Sequence, residues 1–254
     1  MDFQTLIIEK QNTIAWVTLN RPDVMNALNQ QLVTEIISAV QSLEDDESVN
    51  VIVLKGAGRS FCAGADLKDE SWLGKGVLKD RLATYGPWHA LEEASKPTIA
   101  AVHGYAITGG YLLAAACDIV IASEDASFAD THSKWGLIPY GGEPQRLLKL
   151  VGVRKAKELM FTGKMITAVE AERYGLINTV VPRDQLEKAA HEMAEVIAQN
   201  SQHSVRAIKR MINFGIEFGY ASGMRLEEII GKRGMVNTEP DEERERRLSG
   251  FKKG

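Results

Sequence analysis

The stretch Thr98–Ala122, TIAAVHGYAITGGYLLAAACDIVIA, constrains the fold more than any other part of the chain. By length and apolarity it could cross a bilayer. However, it carries His103, Asp118 and the glycines Gly104, Gly109 and Gly110, and it lacks a Lys/Arg-flanked aromatic belt. It divides instead into a buried strand (Thr98–Val102), a glycine turn, a small-residue helix (Gly110–Cys117) and a second buried strand (Ile119–Ala122). No membrane span is expected, and a layered α/β arrangement is.

The flanking sequence extends that pattern. Leu6–Glu9 and Ile14–Leu19 read as paired strands, and Val49–Leu54 reads as a strand buried on both faces. Leu32, Val33, Ile36, Ile37, Val40 and Leu43 make one stripe on a helix over Leu28–Leu43, with Asn29 placed to cap it. Further helices are expected over Leu82–Ala94, Gln145–Leu150 and Val153–Phe161, with loop over Phe128–Gly142. Thr167 and Glu170 form a capping box for a short helix that stops at Gly175, and Ile177–Val181 is a strand. Beyond it the spacing predicts helices alone, over Leu186–Gln199, Val205–Ile216 and Gly223–Met235. The chain thus reads as an α/β core over 1–195 followed by a helical region over 196–254.

Composition narrows the partners. The chain of 254 residues has a formal net charge of -4, which gives no electrostatic reason to expect nucleic acid or an anionic membrane. Its two cysteines, Cys62 and Cys117, lie far apart and form neither a disulfide framework nor a zinc motif. With no basic, apolar leader at the N-terminus, the expected location is cytoplasmic.

Two glycine-containing turns are the strongest candidates for chemistry. Gly58-Arg59-Ser60-Phe61-Cys62-Ala63-Gly64-Ala65-Asp66-Leu67 follows the strand Val49–Leu54, and Gly104-Tyr105-Ala106-Ile107-Thr108-Gly109-Gly110 follows Thr98–Val102 and opens a helix. Glycine lets backbone approach a ligand closely, and free N–H groups at such turns stabilise a negative oxygen. Two of them side by side can aim two donors at one oxygen.

The residues in and around these turns resemble those of the crotonase superfamily, the enoyl-CoA hydratase/isomerase family. Matching in order are Asn20-Arg21-Pro22 with Asn26-Ala27-Leu28, Phe61 to Leu67, Lys96-Pro97, Gly104-Tyr105-Ala106 with Gly109-Gly110, and Cys117-Asp118-Ile119. They continue with Phe128-Ala129, Gly136-Leu137-Ile138-Pro139, Gln145-Arg146-Leu147, Thr162-Gly163 and Ala171-Glu172. The resemblance implies a spiral of ββα units with a helical C-terminal trimerisation region, and often a hexamer made as a dimer of trimers. It also implies an acyl-CoA thioester as ligand and a lyase or isomerase of fatty-acid metabolism. No metal or redox cofactor is implied beyond the coenzyme A of the substrate. The family's oxyanion hole maps onto the N–H groups of Ala63 and Gly109. The CoA-binding and substrate-binding positions map onto Val24, Met25, Ala27, Ala63, Gly64, Ala65, Asp66, Leu67, Gly109 and Leu112.

The sequence departs from the family at the chemistry itself. The two glutamates of the hydratases fall on Leu112 and His132. As an imidazole, His132 suits proton transfer, or it serves only to hydrogen-bond a loop. Tyr140 falls where family branches place another reacting side chain, a tyrosine in methylmalonyl-CoA decarboxylase; it holds a carboxylate, delivers a proton or packs over the acyl pocket. Glu143 favours a helix start through the dipole, or reaches the cavity. Asp130 is a turn acid or orients His132. Tyr85, Trp88 and His89 lie where the family walls its acyl site, or serve as core or surface residues; Tyr111 and Trp135 read as packing, and Arg21, Lys55 and Lys68 as solvated surface cations or as partners of CoA phosphates.

The leading expectation is therefore an acyl-CoA enzyme that stabilises a thioester enolate, hydratase/isomerase-like with an atypical acid/base set. The alternatives are decarboxylation of a malonyl-type CoA through Tyr140, thioester hydrolysis or C–C cleavage through His132, and a catalytically silent CoA-binding scaffold.

Overall fold

The computed structural model describes residues 2–69, 86–234 and Ser249. The chain divides into two compact units, Met1–Ala198 and Gln199–Gly254. Tyr85 and most of the expected helix start at Leu82 lie outside the described residues.

The first unit is built on a six-stranded sheet. Its strands are β1 (Leu6–Gln11), β2 (Ile14–Leu19), β3 (Val51–Gly56), β4 (Thr98–Val102), β6 (Ile119–Ser123) and β9 (Thr179–Val181), adjacent in that order. The pair β1–β2 is antiparallel and the rest are parallel. Burial on two faces explains the near-continuous apolar runs of β3 and β4. Ile52, Leu54, Ala100 and Val102 face one core together with Leu32, Ile36, Phe61 and Phe128. Val51, Val53, Ile99, Ala101 and Ile121 face another, closed by Leu186, Ala190 and Ala194 of the helix Leu186–Gln199.

A second sheet joins three short strands, β5 (Tyr105–Ile107), β7 (Ser127–Ala129) and β8 (Ile166–Thr167). None is apparent from the sequence, because strands of two or three residues show no period. They correct the reading of Phe128–Gly142 as loop from its first residue. A strand of the large sheet, a strand of the small one and a helix then recur: β4, β5 and α3 (Gly109–Ala115), followed by β6, β7 and α4 (Glu143–Thr162). This is the expected α/β spiral of ββα units.

The helices of this unit form largely where sequence signals place them. Helix α1 (Gln30–Glu44) begins with the Leu32 N–H donating to Asn29 Oδ1 at 2.9 Å. Helix α2 spans Pro87–Glu93. The two helices expected over Gln145–Leu150 and Val153–Phe161 both form within α4, separated by a non-helical break at Gly152, where φ is 76° and ψ 162°. The Thr167–Glu170 capping box closes reciprocally at 3.0 and 3.2 Å. Lys96, 1% exposed, donates to the Leu43 and Asp46 carbonyls and so ties the end of α1 to the start of β4.

The second unit contains the helices Gln202–Phe218 and Tyr220–Gly234, which approach closely where Gly223 meets Gly215. Ile208, Ile212 and Ile216 are spaced four apart on the first of them and are half exposed. Among the described residues no helix is long and apolar enough to cross a membrane.

Candidate functional site

Main-chain hydrogen bonds join the two glycine turns and the loop at residues 20–28 into one body. Phe61 N donates to His103 O at 2.8 Å, Cys62 N to Tyr105 O at 2.9 Å, and Ile107 N to Cys62 O at 3.1 Å. On the other side Leu28 N donates to Gly64 O at 2.7 Å and Asp66 N to Leu28 O at 2.9 Å. The buried Asn26 side chain donates to the carbonyls of Ala57, Ser60 and Phe61, which fixes the loop to the first turn. Gly64 has φ of 97°, and a Cβ there would lie 2.8 Å from the Ile107 carbonyl; a Cβ on Gly110 would run into the Cys62 carbonyl. Both positions therefore exclude side chains on steric grounds.

This lacing decides which amides stay available. The Ala63 N–H, expected as one of two oxygen-binding donors, donates to the Met25 carbonyl at 3.0 Å. The available amide of this turn is that of Ala65. Because its two neighbours in the chain bond to Leu28 through Gly64 O and Asp66 N, the Ala65 N–H points away from that loop and has no backbone acceptor among the described residues. Gly109 is the first residue of α3, so its N–H has no intrahelical acceptor either. The Ala65 nitrogen lies 4.0 Å from the point where a Cβ on Gly109 would sit. Thr108, just before, is held at φ 45° and ψ −109°, a sparsely populated conformation for a residue with a side chain.

The remaining mapped positions divide clearly. Val24 and Leu67 expose apolar side chains, Ala27 is buried, and Met25 takes the left-handed conformation that turns its carbonyl to Ala63. Asp66 and Arg21 pair with each other at 2.9 Å, and Arg21 also donates to the Ala27 carbonyl. Lys55 pairs with Glu187 at 3.0 Å and lies over the Trp16 ring. Leu112 is 2% exposed and sits in the main core.

A second cluster is made of side chains. Asp130 follows β7, His132 opens the 3-10 turn His132–Trp135, and Glu143 is the first residue of α4. The Asp130 Oδ1 accepts from the His132 backbone N–H at 2.9 Å and lies 2.6 Å from His132 Nδ1. Glu143 Oε2 lies 3.4 Å from the same ring nitrogen. Asp130 is thus an orienting partner of His132, and Glu143, which sequence places first at a helix dipole, belongs to the same cluster. Glu143 is fully buried and neither of its oxygens has a hydrogen-bond partner. Burial, reinforced by the Asp130 charge, pushes its carboxyl well above the usual range against the smaller opposing pull of Arg146. Arg146 itself is ion-paired with Glu92 and donates to the Gly141 carbonyl. The Tyr111 hydroxyl is buried without a partner, and Tyr111 lines a cavity with Asp130, Phe128 and Leu147.

Tyr140 is half-buried and packs edge-on against Trp88, with ring centroids 6.3 Å apart; burial raises its phenol. Trp88 is a core residue, while Trp135 is 68% exposed and so is not the packing residue the sequence suggested. His89 Nδ1 accepts from the Gly86 N–H at 2.9 Å at the start of α2.

Comparison with known proteins agrees with this architecture. The enoyl-CoA hydratase/isomerase family profile matches residues 9–238. A probable mitochondrial enoyl-CoA hydratase of Dictyostelium discoideum is 44% identical, over 89% of this chain and 81% of its own. A short-chain-enoyl-CoA hydratase of Clostridium acetobutylicum is 36% identical, over 99% of each. The crystal structure of an enoyl-CoA hydratase from Bacillus anthracis superposes with a TM-score of 0.89 at 35% identity, covering 98% of this chain and 96% of that one. The chain belongs to the enoyl-CoA hydratase/isomerase family.

Proposed function

We propose that this family member polarises the carbonyl of an acyl-CoA thioester with the N–H groups of Ala65 and Gly109 and moves a proton with His132, oriented by Asp130. The observation that carries the reading is the pair of unspent amides from distant parts of the chain, held next to each other by a main-chain lattice. Donors on the developing enolate oxygen stabilise the transition state, one such donor being worth roughly 10²–10³ in rate. In hydration, water adds at carbon 3, its proton goes to the imidazole, and the enolate oxygen is held by the amides. The imidazolium then returns a proton to carbon 2. Isomerisation uses the same parts, with His132 taking a proton from one carbon and returning it to another.

Crotonyl-CoA tests this: its conjugated-thioester absorbance should fall on adding protein, and His132→Ala should abolish the fall. Loss of absorbance at equal rate in the variant would remove His132 from the chemistry. The decarboxylase reading draws less support. Tyr140 packs on Trp88, which supports a role as a wall of the pocket rather than as a holder of a substrate carboxylate. Methylmalonyl-CoA should release no CO₂.

The unpartnered stripe Ile208, Ile212 and Ile216 supports a trimer, or a dimer of trimers, through the helical unit. Sedimentation of the full chain as a monomer would exclude it. Two buried free cysteines suit the expected cytoplasmic location.

A further inference from the structure

Asp130, His132 and Glu143 offer one ligand atom each, and these atoms lie within 4.8 Å of one another. Zinc binds imidazole nitrogen and carboxylate oxygen at about 2.0–2.2 Å, which in a tetrahedral site separates ligand atoms by roughly 3.3–3.6 Å. Glu143 Oε2 and His132 Nδ1, at 3.4 Å, already have that separation. Asp130 Oδ1, at 2.6 Å from the same nitrogen, needs only to open slightly. All three ligands are held by their backbone, at the end of β7, in the 3-10 turn and at the first residue of α4.

Two further observations point to a ligand. Glu143 is 0% exposed, both of its oxygens lack a hydrogen-bond partner, and it is directed at the ring nitrogen. A buried carboxyl is ionised only when it is paired or bound to a metal ion, and a metal ion entering the site displaces the proton that Glu143 otherwise holds. Separately, the buried Tyr111 hydroxyl has no partner and lines the cavity that reaches Asp130. The nearby cations Arg146 and Lys164 hold other partners through their terminal nitrogens, although Arg146 Nε is buried without one. Arg146 is held by Glu92 and the Gly141 carbonyl, and Lys164, which lines the same cavity, is paired with Glu158 at 2.5 Å.

We propose that Asp130, His132 and Glu143 form a site for a zinc ion that inhibits the enzyme. A donor set of one imidazole and two carboxylates favours zinc over magnesium or calcium, which take oxygen ligands in larger number. The ion takes the lone pair of His132 Nδ1, so the neutral ring carries its proton on Nε2 and can no longer accept one from water. Zinc binding stands on the three ligands alone; its inhibitory effect rests on His132 being the proton carrier proposed above.

The test is calorimetric titration of zinc chloride into the chelator-stripped full chain, with magnesium chloride as control. One zinc per chain in the micromolar range is expected, with no magnesium binding at those concentrations. Glu143→Gln and, independently, Asp130→Asn should each weaken zinc at least about tenfold, with thermal melting confirming that the variant compared is folded. No zinc uptake, or uptake unchanged in a folded variant, overturns the site. In a turnover assay with whichever CoA thioester reacts, one equivalent of zinc should silence the enzyme and chelator should restore it. Stoichiometric zinc binding without loss of turnover would overturn the inhibitory role while keeping the metal site. Turnover in a chain that takes up no zinc would sink this inference and leave the proposed function standing.

Discussion

The two halves of the candidate site are built from different material. The turn 62–66 and the segment 105–110 offer backbone amides, held by main-chain bonds from Phe61, Cys62, Leu28, Asp66 and Ile107. The cluster of Asp130, His132 and Glu143 offers side chains, held by short contacts among themselves. A donor made of backbone survives changes of side chain as long as glycine remains where the chains touch. A proton carrier made of side chains changes with a single substitution. The difference makes the amide half the more tolerant of substitution and the side-chain half the place where one residue decides the chemistry.

The largest expected effect lies on the side-chain half. His132→Ala should lower kcat about 10²–10⁴-fold, the usual worth of a positioned acid or base, with little change in KM. Steady-state kinetics on the reacting thioester checks it, and a loss below about threefold (~0.65 kcal/mol) would make His132 a loop residue. On the backbone half, Ala65→Pro removes one donor and should cost roughly 10²–10³ in kcat. Ala63→Pro removes the bond to the Met25 carbonyl instead, so its main effect should be a lower melting temperature of the whole turn. Equal catalytic losses in the two variants, with equal melting temperatures, would erase the distinction between them.

Much of the scaffold was legible in the sequence because it rests on long periodic signals. The stripe of α1, its Asn29 cap, β4 over Thr98–Val102 and the Thr167–Glu170 box are all local features with their own physical signatures. The small sheet was not legible: β5, β7 and β8 are too short to show alternation and exist through pairings such as Ala106 with Phe128. The site was half legible. Glycines marked both turns, but Ala63 and Ala65 flank Gly64 symmetrically in sequence. Only the pairing with Leu28 settles that the N–H of Ala65 faces outward and that of Ala63 inward. Glu143 carried two readings, dipole and cavity, because a residue at a helix start is near whatever the preceding loop brings to it. Here the loop brings His132.

The next effect concerns stability and again separates the halves. Glu143 is buried without a hydrogen-bond partner, and its carboxyl is raised well above the usual range by burial and then by Asp130. The folded chain therefore keeps a proton that the unfolded chain releases. Stability should fall as pH rises from the ordinary carboxylate range towards the raised value, and it should not fall further above that value. Glu143→Gln has no proton to lose. With chelator present, its melting temperature should match the parent's below about pH 4 and exceed it at neutral pH. A gap that narrows with rising pH would show that Glu143 is ionised and paired in the folded protein.

The smallest effect tests the claim that backbone alone builds the amide half. Cys62 sits at its centre, fully buried, with its N–H on Tyr105 and its carbonyl receiving Ile107. Burial pushes its thiol up to about 12, against a smaller opposing pull from the nearby Gly64 N–H. It is therefore inert as a nucleophile in the folded state, and thiol reagents at neutral pH should label it only after unfolding. Cys62→Ser changes one side-chain atom and leaves both main-chain bonds in place. Its kcat should stay within about tenfold of the parent, less than ~1.4 kcal/mol, while Ala65→Pro in the same turn loses far more. A serine variant as impaired as the proline one would mean that the side chain of Cys62, and not the main-chain lattice, places the Ala65 amide.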